Sequence, residues 1–361
     1  AALTTTQVMV ITSAQAAAME AADFAAMGTA QVRMLSTADI AALNADHFAA
    51  LTTAQAAALT TAQLRAIDLD DLAALSTAAV AALNSAQVLS LSSAQLAALS
   101  ADQLAHLSTG QMGSISSAQI ASMDASQLNA LTTAQFSHLG TAQIAALTTA
   151  QVSQLDADHV AALTTAQVAA LTVDQAAAMQ SADLSALRTA QIRALSTADI
   201  AALTDANITA LRTDQVAALS TDQVRALSGS QIGAIETADI RAMGTAQLRA
   251  LDTAQVGWLG SHQVMALTSQ QFAAFTSDQM AALDPTAQGA FGTTQYNSMS
   301  TAQIAGLTAA QAATLSTAII ASLSTAQVAA FTTQALNELS TAAIVALSTA
   351  QVAGLTTAQV A

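Results

Sequence analysis

Counting from Leu3, every eighth residue along the chain is Leu, Ile, Met or Phe, through 45 positions ending at Leu355. No insertion or deletion breaks the register. A short period held over 361 residues constrains the fold more than any local motif can. Each unit is too small to bury its own apolar side chains and must bury them against copies of itself. Two further columns define the unit. The residue after the apolar one is Ser, Thr, Asp, Asn or Gly in 40 of 45 octads. These types start helices, because a short side-chain oxygen accepts from an unpaired backbone N–H. Three residues later stands Gln or Asp, in 37 of 45 octads. That is capping-box spacing: Ser300 caps forward and Gln303 reaches back to the N–H of the cap residue. The next column is apolar in all but one octad, and with the apolar residue before the cap it forms a hydrophobic staple, as Leu323 does with Val328.

One continuous helix is excluded. Eight residues turn an α-helix through about 800°, so an apolar stripe would drift roughly 80° per repeat. The sequence instead predicts about six helical residues per octad, then Leu and the cap residue in extended conformation, then the next helix. Such helices are far too short to stand alone. The fold predicted is all-α: an elongated α-solenoid of very short capped helices, one per octad, with Ala columns letting neighbours approach. The single proline fits, since Pro285 follows the cap Asp284 at the first helical position, where a missing N–H is harmless. In that octad Gln288 falls one place late, onto the apolar column. A β-solenoid competes because Thr is abundant, but Ala dominance and the capping boxes argue against it.

The uninterrupted register predicts a single repeat array over residues 1–361. It begins and ends within an octad, and no atypical capping repeat closes it, so it reads as a segment of a longer chain. Six Asp in the capping-box column have an Arg ten residues later or six earlier: Asp23–Arg33–Asp39, Arg65–Asp71, Asp183–Arg193–Asp199 and Asp239–Arg249. Those offsets join neighbouring octads and point to two octads per coil, with three left open.

Composition excludes several functions. There is no Cys, hence no disulfide framework, thiol chemistry or Cys-held metal. Net charge is −15 with eight basic residues, all Arg, so a nucleic-acid footprint is absent and an anionic membrane surface would repel the chain. No apolar run is long enough to insert into a membrane, and no signal peptide is visible. Aromatic residues make up 2% of the chain, too few for stacking platforms.

No residue pattern looks like chemistry, and the sequence predicts no catalytic, cofactor-binding or metal-binding residue and no enzyme. His47 and His159 replace Gln in the capping-box column but are far apart along the array, so they read as cap variants rather than shared ligands. His106, His138 and His262 are scattered. Asp68, Asp70 and Asp71 could in principle hold Ca²⁺, but Asp68 is a cap and Asp71 a capping-box residue, and no Gly-containing loop of the EF-hand kind surrounds them. No Ser sits in a nucleophile elbow. Gly28, Gly140, Gly244 and Gly260 fall at caps and form no phosphate loop. Trp258, beside Gly257 and Gly260, reads as a lateral contact residue where another subunit touches.

The Leu-(Ser/Thr)-Thr-Ala-Gln-(Val/Ile)-Ala-Ala octads, as at 163–170 and 323–330, resemble the Ala/Thr/Gln-rich tandem repeats of very large secreted bacterial surface proteins and filament-forming proteins. The resemblance covers the whole chain and implies an extracellular or cell-surface structural role, with no functional residues carried over. A rod-like solenoid that spaces or self-assembles into a fibre, sheath or stalk, with copies of itself as partners, is therefore the first expectation. The second is an ice-binding or polymer-binding protein using rows of Thr hydroxyls.

Overall fold

The computed structural model describes residues 3–289 and 291–360. Among them there is no strand, which sets the β-solenoid aside. Forty-five helices, α1 (Thr5–Val8) to α45 (Thr357–Val360), follow one another, one per octad and four to six residues long. The chain is an all-helical repeat array, as the capping signature predicts.

Each start and stop has a local cause. In α12 (Ser93–Ala98) the cap Ser92 is extended, at φ −68° and ψ 160°. Its hydroxyl accepts from the Gln95 N–H at 3.1 Å, and its own N–H donates to Gln95 Oε1 at 3.0 Å. The helix ends at Leu99, which is extended again, at φ −66° and ψ 138°. No described residue has positive φ, so these helices do not close with a left-handed cap. Two successive extended residues, Leu99 and the next cap Ser100, end this one; others add an αR residue first, as Ala50 does after Ala49. The last carbonyls are left for something outside the helix to satisfy. Pro285 takes the first helical position of α36 (Pro285–Gln288), behind the cap Asp284, as its spacing predicts.

Helices pack on their third neighbours. α7 (Thr53–Ala58) lies between α4 (Thr29–Val32) and α10 (Thr77–Ala81). A coil therefore holds three octads, which corrects the two-octad expectation. That expectation took Arg and Asp as partners of each other. The Arg side chains instead reach backbone: Arg65 Nε donates to the Ser90 carbonyl at 2.8 Å, and Arg241 Nε to the Ala266 carbonyl at 3.1 Å, each 25 residues on in the next coil. Neither Arg65–Asp71 nor Asp239–Arg249 is an ion pair among the described residues. Arg–carboxylate pairs are found instead at Arg212–Asp214, 3.0 Å, and Arg225–Asp222, 3.1 Å.

The helices group into two units, one ending at Ala186 and the other starting at Leu187, each built in this way. The Leu column and the column after Gln form the interior; Leu64 is wholly buried and Ile67 nearly so. The cap residue, the two residues after it and the residue after the second apolar column face outward. Substituting one outward residue leaves the interior intact. A charge in the Leu column would be buried without a partner.

Candidate functional site

The most constructed feature of the molecule is the seam between coils, where the Gln column does two jobs. Gln95 Oε1 accepts the cap N–H of its own helix. Its Nε2 donates to the carbonyls of Leu64 and Ile67, each at 2.9 Å, 31 and 28 residues back. These carbonyls lie where the coil below ends one helix and begins the next. Gln63, Gln223, Gln279 and Gln351 repeat the same bonds. One buried amide thus satisfies a helix start in its own coil and, in the coil before, the Ile67 carbonyl, and it adds a second donor to the Leu64 carbonyl, which already accepts the Ile67 N–H at 3.3 Å. A Glu would serve the capping box equally well but has no proton to donate. None of the three Glu in the chain, Glu20, Glu236 and Glu338, stands in this column.

The exceptions in the column follow the same logic. His47 Nε2 lies 2.8 Å from the Met19 carbonyl, while Nδ1 lies 3.2 Å from the Asn44 N–H and 2.6 Å from the Asn44 Oδ1. An imidazole protonated on Nε2 reproduces the Gln pattern. His159 Nε2 likewise meets the Leu131 carbonyl at 2.7 Å. Both rings stand edge-on to a core Phe, His47 to Phe24 and His159 to Phe136. The two imidazoles occupy different seams and share no ligand.

Asp is the other substitute, and it cannot donate when ionised. Asp39 is buried and accepts from the Ser36 N–H at 2.9 Å and from the Ser13 hydroxyl of the coil below at 3.2 Å. Asp71 is less well served. Its cap is Asp68, another acceptor. Burial, then the charges of Asp68 and Asp70, push the Asp71 carboxyl up to about 6, against a smaller lowering by His47. Burial also raises Asp183 and Asp239. The Arg212 guanidinium holds the exposed Asp214 carboxyl below its ordinary value.

The remaining candidates are dispersed. His106 and His138 are exposed, each with Nδ1 on the carbonyl four residues back in its own chain segment, at 2.7 and 2.8 Å. No group of three or more His, Asp or Glu among the described residues is placed to hold a metal ion. Trp258 is half-exposed and lies flat over Gly229, where an added Cβ would stand 2.7 Å from the indole. Any side chain at 229 would have to push that ring aside. Gln288 and Tyr296 are wholly buried and face each other, but the Gln288 amide and the Tyr296 hydroxyl make no hydrogen bond of good geometry. Burial raises the Tyr296 hydroxyl well above its ordinary value.

Reading the sequence alone, the Gln column shows only its capping role. The available signal is the choice of Gln over Glu at the third helical position of octad after octad, which a capping box by itself does not demand. The Arg contacts have no such signal, because their partners are backbone carbonyls.

The family model for the ALTTAQ repeat matches the chain at residues 16–53, 64–109, 104–141, 133–165, 176–213, 208–234, 232–269 and 334–361. No curated protein matches it. Among the described residues no helix is long and apolar enough to cross a membrane.

Proposed function

The chain belongs to the ALTTAQ repeat family, and from that premise we propose that it is a structural protein of the cell exterior whose repeat solenoid spaces or self-assembles into a fibre, sheath or stalk. The observation that carries this reading is the seam. Buried amides bond coil to coil through both units, and the outward columns recur with every octad. An object made this way repeats its surface at a fixed interval. Such a surface suits association with copies of itself, and heterologous contacts that do not close generate filaments. The reading assigns the chain no catalysis. The residue choice that recurs in most octads goes into holding coils together.

Electron microscopy of the purified chain tests it. Fibres or ordered lateral assemblies are expected; isolated particles at all concentrations and salt conditions would sink it. Antibody labelling of intact source cells tests the exterior location, and labelling only after the cells are broken open would overturn that part.

A second reading has its own observation. Thr197, Thr221 and Thr245 follow the cap on three stacked helices, α25 (Thr197–Ala202), α28 (Thr221–Arg225) and α31 (Thr245–Ala250), and all are at least partly exposed. Rows of this kind could bind ice or a repeating polymer. Thermal hysteresis of the purified protein would favour that reading over the first.

A further inference from the structure

The octads are so alike that departures from the pattern carry information, and two departures are complementary. In the first unit α3 (Ala21–Ala25), α6 (Ala45–Ala49) and α9 (Leu69–Ala73) stack on one face. Their exposed charges, caps included, are Glu20, Asp23, Asp46, Asp68 and Asp70. No Arg lies on these helices, and His47 and Asp71 are buried. Leu69 stands where most octads have Thr. It is 44% exposed, with Asp68 and Asp70 on either side.

In the second unit α24 (Thr189–Ile192), α27 (Thr213–Ala218), α30 (Thr237–Ala242) and α33 (Ser261–Ala266) stack on one face. It exposes Arg188, Arg193, Arg212, Arg241 and His262. The acids there are Asp214, which pairs with Arg212, the exposed Glu236 and the buried Asp239. This face is net positive on a chain of net charge −15. Between α30 and α33 runs an open groove of about 860 Å³ lined by Thr237, Ala238, Arg241, His262, Met265 and Ala266. Met265 occupies a column that is mostly Ala and is 42% exposed.

We propose that the chain binds a second copy of itself by seating Leu69, flanked by Asp68 and Asp70, in the groove between α30 and α33 of that copy, against Met265, Arg241 and His262. The proposal rests on the self-assembling reading above and names its contact. An apolar anchor in a pocket with a charged rim is the usual division of labour at an interface. The anchor excludes water, and the opposite charges set orientation and speed of encounter. Knob and groove are different surfaces, and each copy offers one of each; a contact that is not made reciprocally within a twofold pair leaves a knob and a groove open and propagates.

Sedimentation velocity of the full 361-residue chain tests it, at about 0.01 M and about 1 M salt, where the screening length falls from about 30 Å to about 3 Å. The wild type should associate at low salt and dissociate at high salt. Leu69→Thr, which installs the majority residue of that column, should weaken association about tenfold or more. Two charge reversals complete the test: Asp68→Arg with Asp70→Arg, and Arg241→Glu with His262→Glu. Arg at a cap position is tolerated, since Arg188 and Arg212 already stand at helix starts without a side-chain cap bond. Each reversed chain alone should sediment as a monomer, while an equimolar mixture of the two should associate again. Circular dichroism confirms that both retain the helical signal. If wild type associates and each reversed chain associates equally well, this contact is wrong and the self-assembling reading stands. If wild type is monomeric at every salt concentration, that reading falls and the contact with it.

Discussion

At the scale of the residue, the seam Gln is the unit of stability. Gln95→Glu keeps the capping box yet buries a charge and leaves the Ile67 carbonyl without a donor, so it should cost about 3 kcal/mol. Gln15 is the control: it is exposed and makes the same capping box at its own helix start. Gln15→Glu should therefore change stability by less than about 0.5 kcal/mol. Equal melting shifts for the two would show that the seam bonds contribute nothing. The Asp71 position predicts a pH effect of opposite sense to ordinary acid denaturation. The folded carboxyl sits at about 6 against an ordinary 3.8, so the folded state holds this proton more tightly than the unfolded chain does. Ionisation on raising the pH from about 4 through about 6 then destabilises the fold, and the cost is fully present at pH 7. Asp71→Gln, which restores the column's usual donor, should raise stability at pH 7 by about 1 kcal/mol after allowance for solvent screening. Its advantage should shrink toward pH 4, measured as the difference in melting temperature between variant and wild type across that range.

At the scale of the element, proline reads the phase of the octad. Thr301 is the first residue of α38 (Thr301–Ala305), behind the cap Ser300, and its N–H has no partner within the helix. Thr301→Pro should be nearly neutral, as the natural Pro285 indicates. Ala305 is four residues further on, where proline removes the bond to the Thr301 carbonyl and clashes with it, at about 3 kcal/mol or more. Hydrogen exchange should show opening over about 297–315 for Ala305→Pro and almost none for Thr301→Pro, because coils contact mainly their neighbours. Equal protection in both variants would contradict the helix boundaries. The capping box, the staple and the extended Leu-cap pair were all legible in advance, since each depends on residues within one octad.

At the scale of the whole molecule, stability in a repeat array is close to a sum of nearest-neighbour terms, so a weak coil opens before the rest. The octad of α36 has Ala287 in place of the seam Gln, and Gln288 in the core with its amide facing the Tyr296 hydroxyl in poor hydrogen-bond geometry. Native-state exchange should therefore be fastest, within the second unit's interior, around 284–299. Gln288→Val should slow it there and stabilise the unit by about 1–3 kcal/mol, the cost of the poorly bonded buried amide. Unchanged exchange would mean that the poorly bonded amide is not what weakens this coil.

What the sequence determined by itself is whatever eight consecutive residues can encode: helix starts at the caps, helix ends at the Leu, two apolar columns inward, and the tolerance of Pro285. Local hydrogen bonds and the periodicity of burial settle these without reference to distant parts of the chain. The number of octads per coil was decided only by tertiary structure. It depends on which carbonyls the Gln Nε2 atoms find, and those lie 28 and 31 residues back. A backbone carbonyl is present at every residue and leaves no mark in the sequence. For the same reason Arg65 looked like a partner for Asp71 and proved to be a donor to Ser90, and Asp71 looked like an ordinary capping residue until burial raised its pKa.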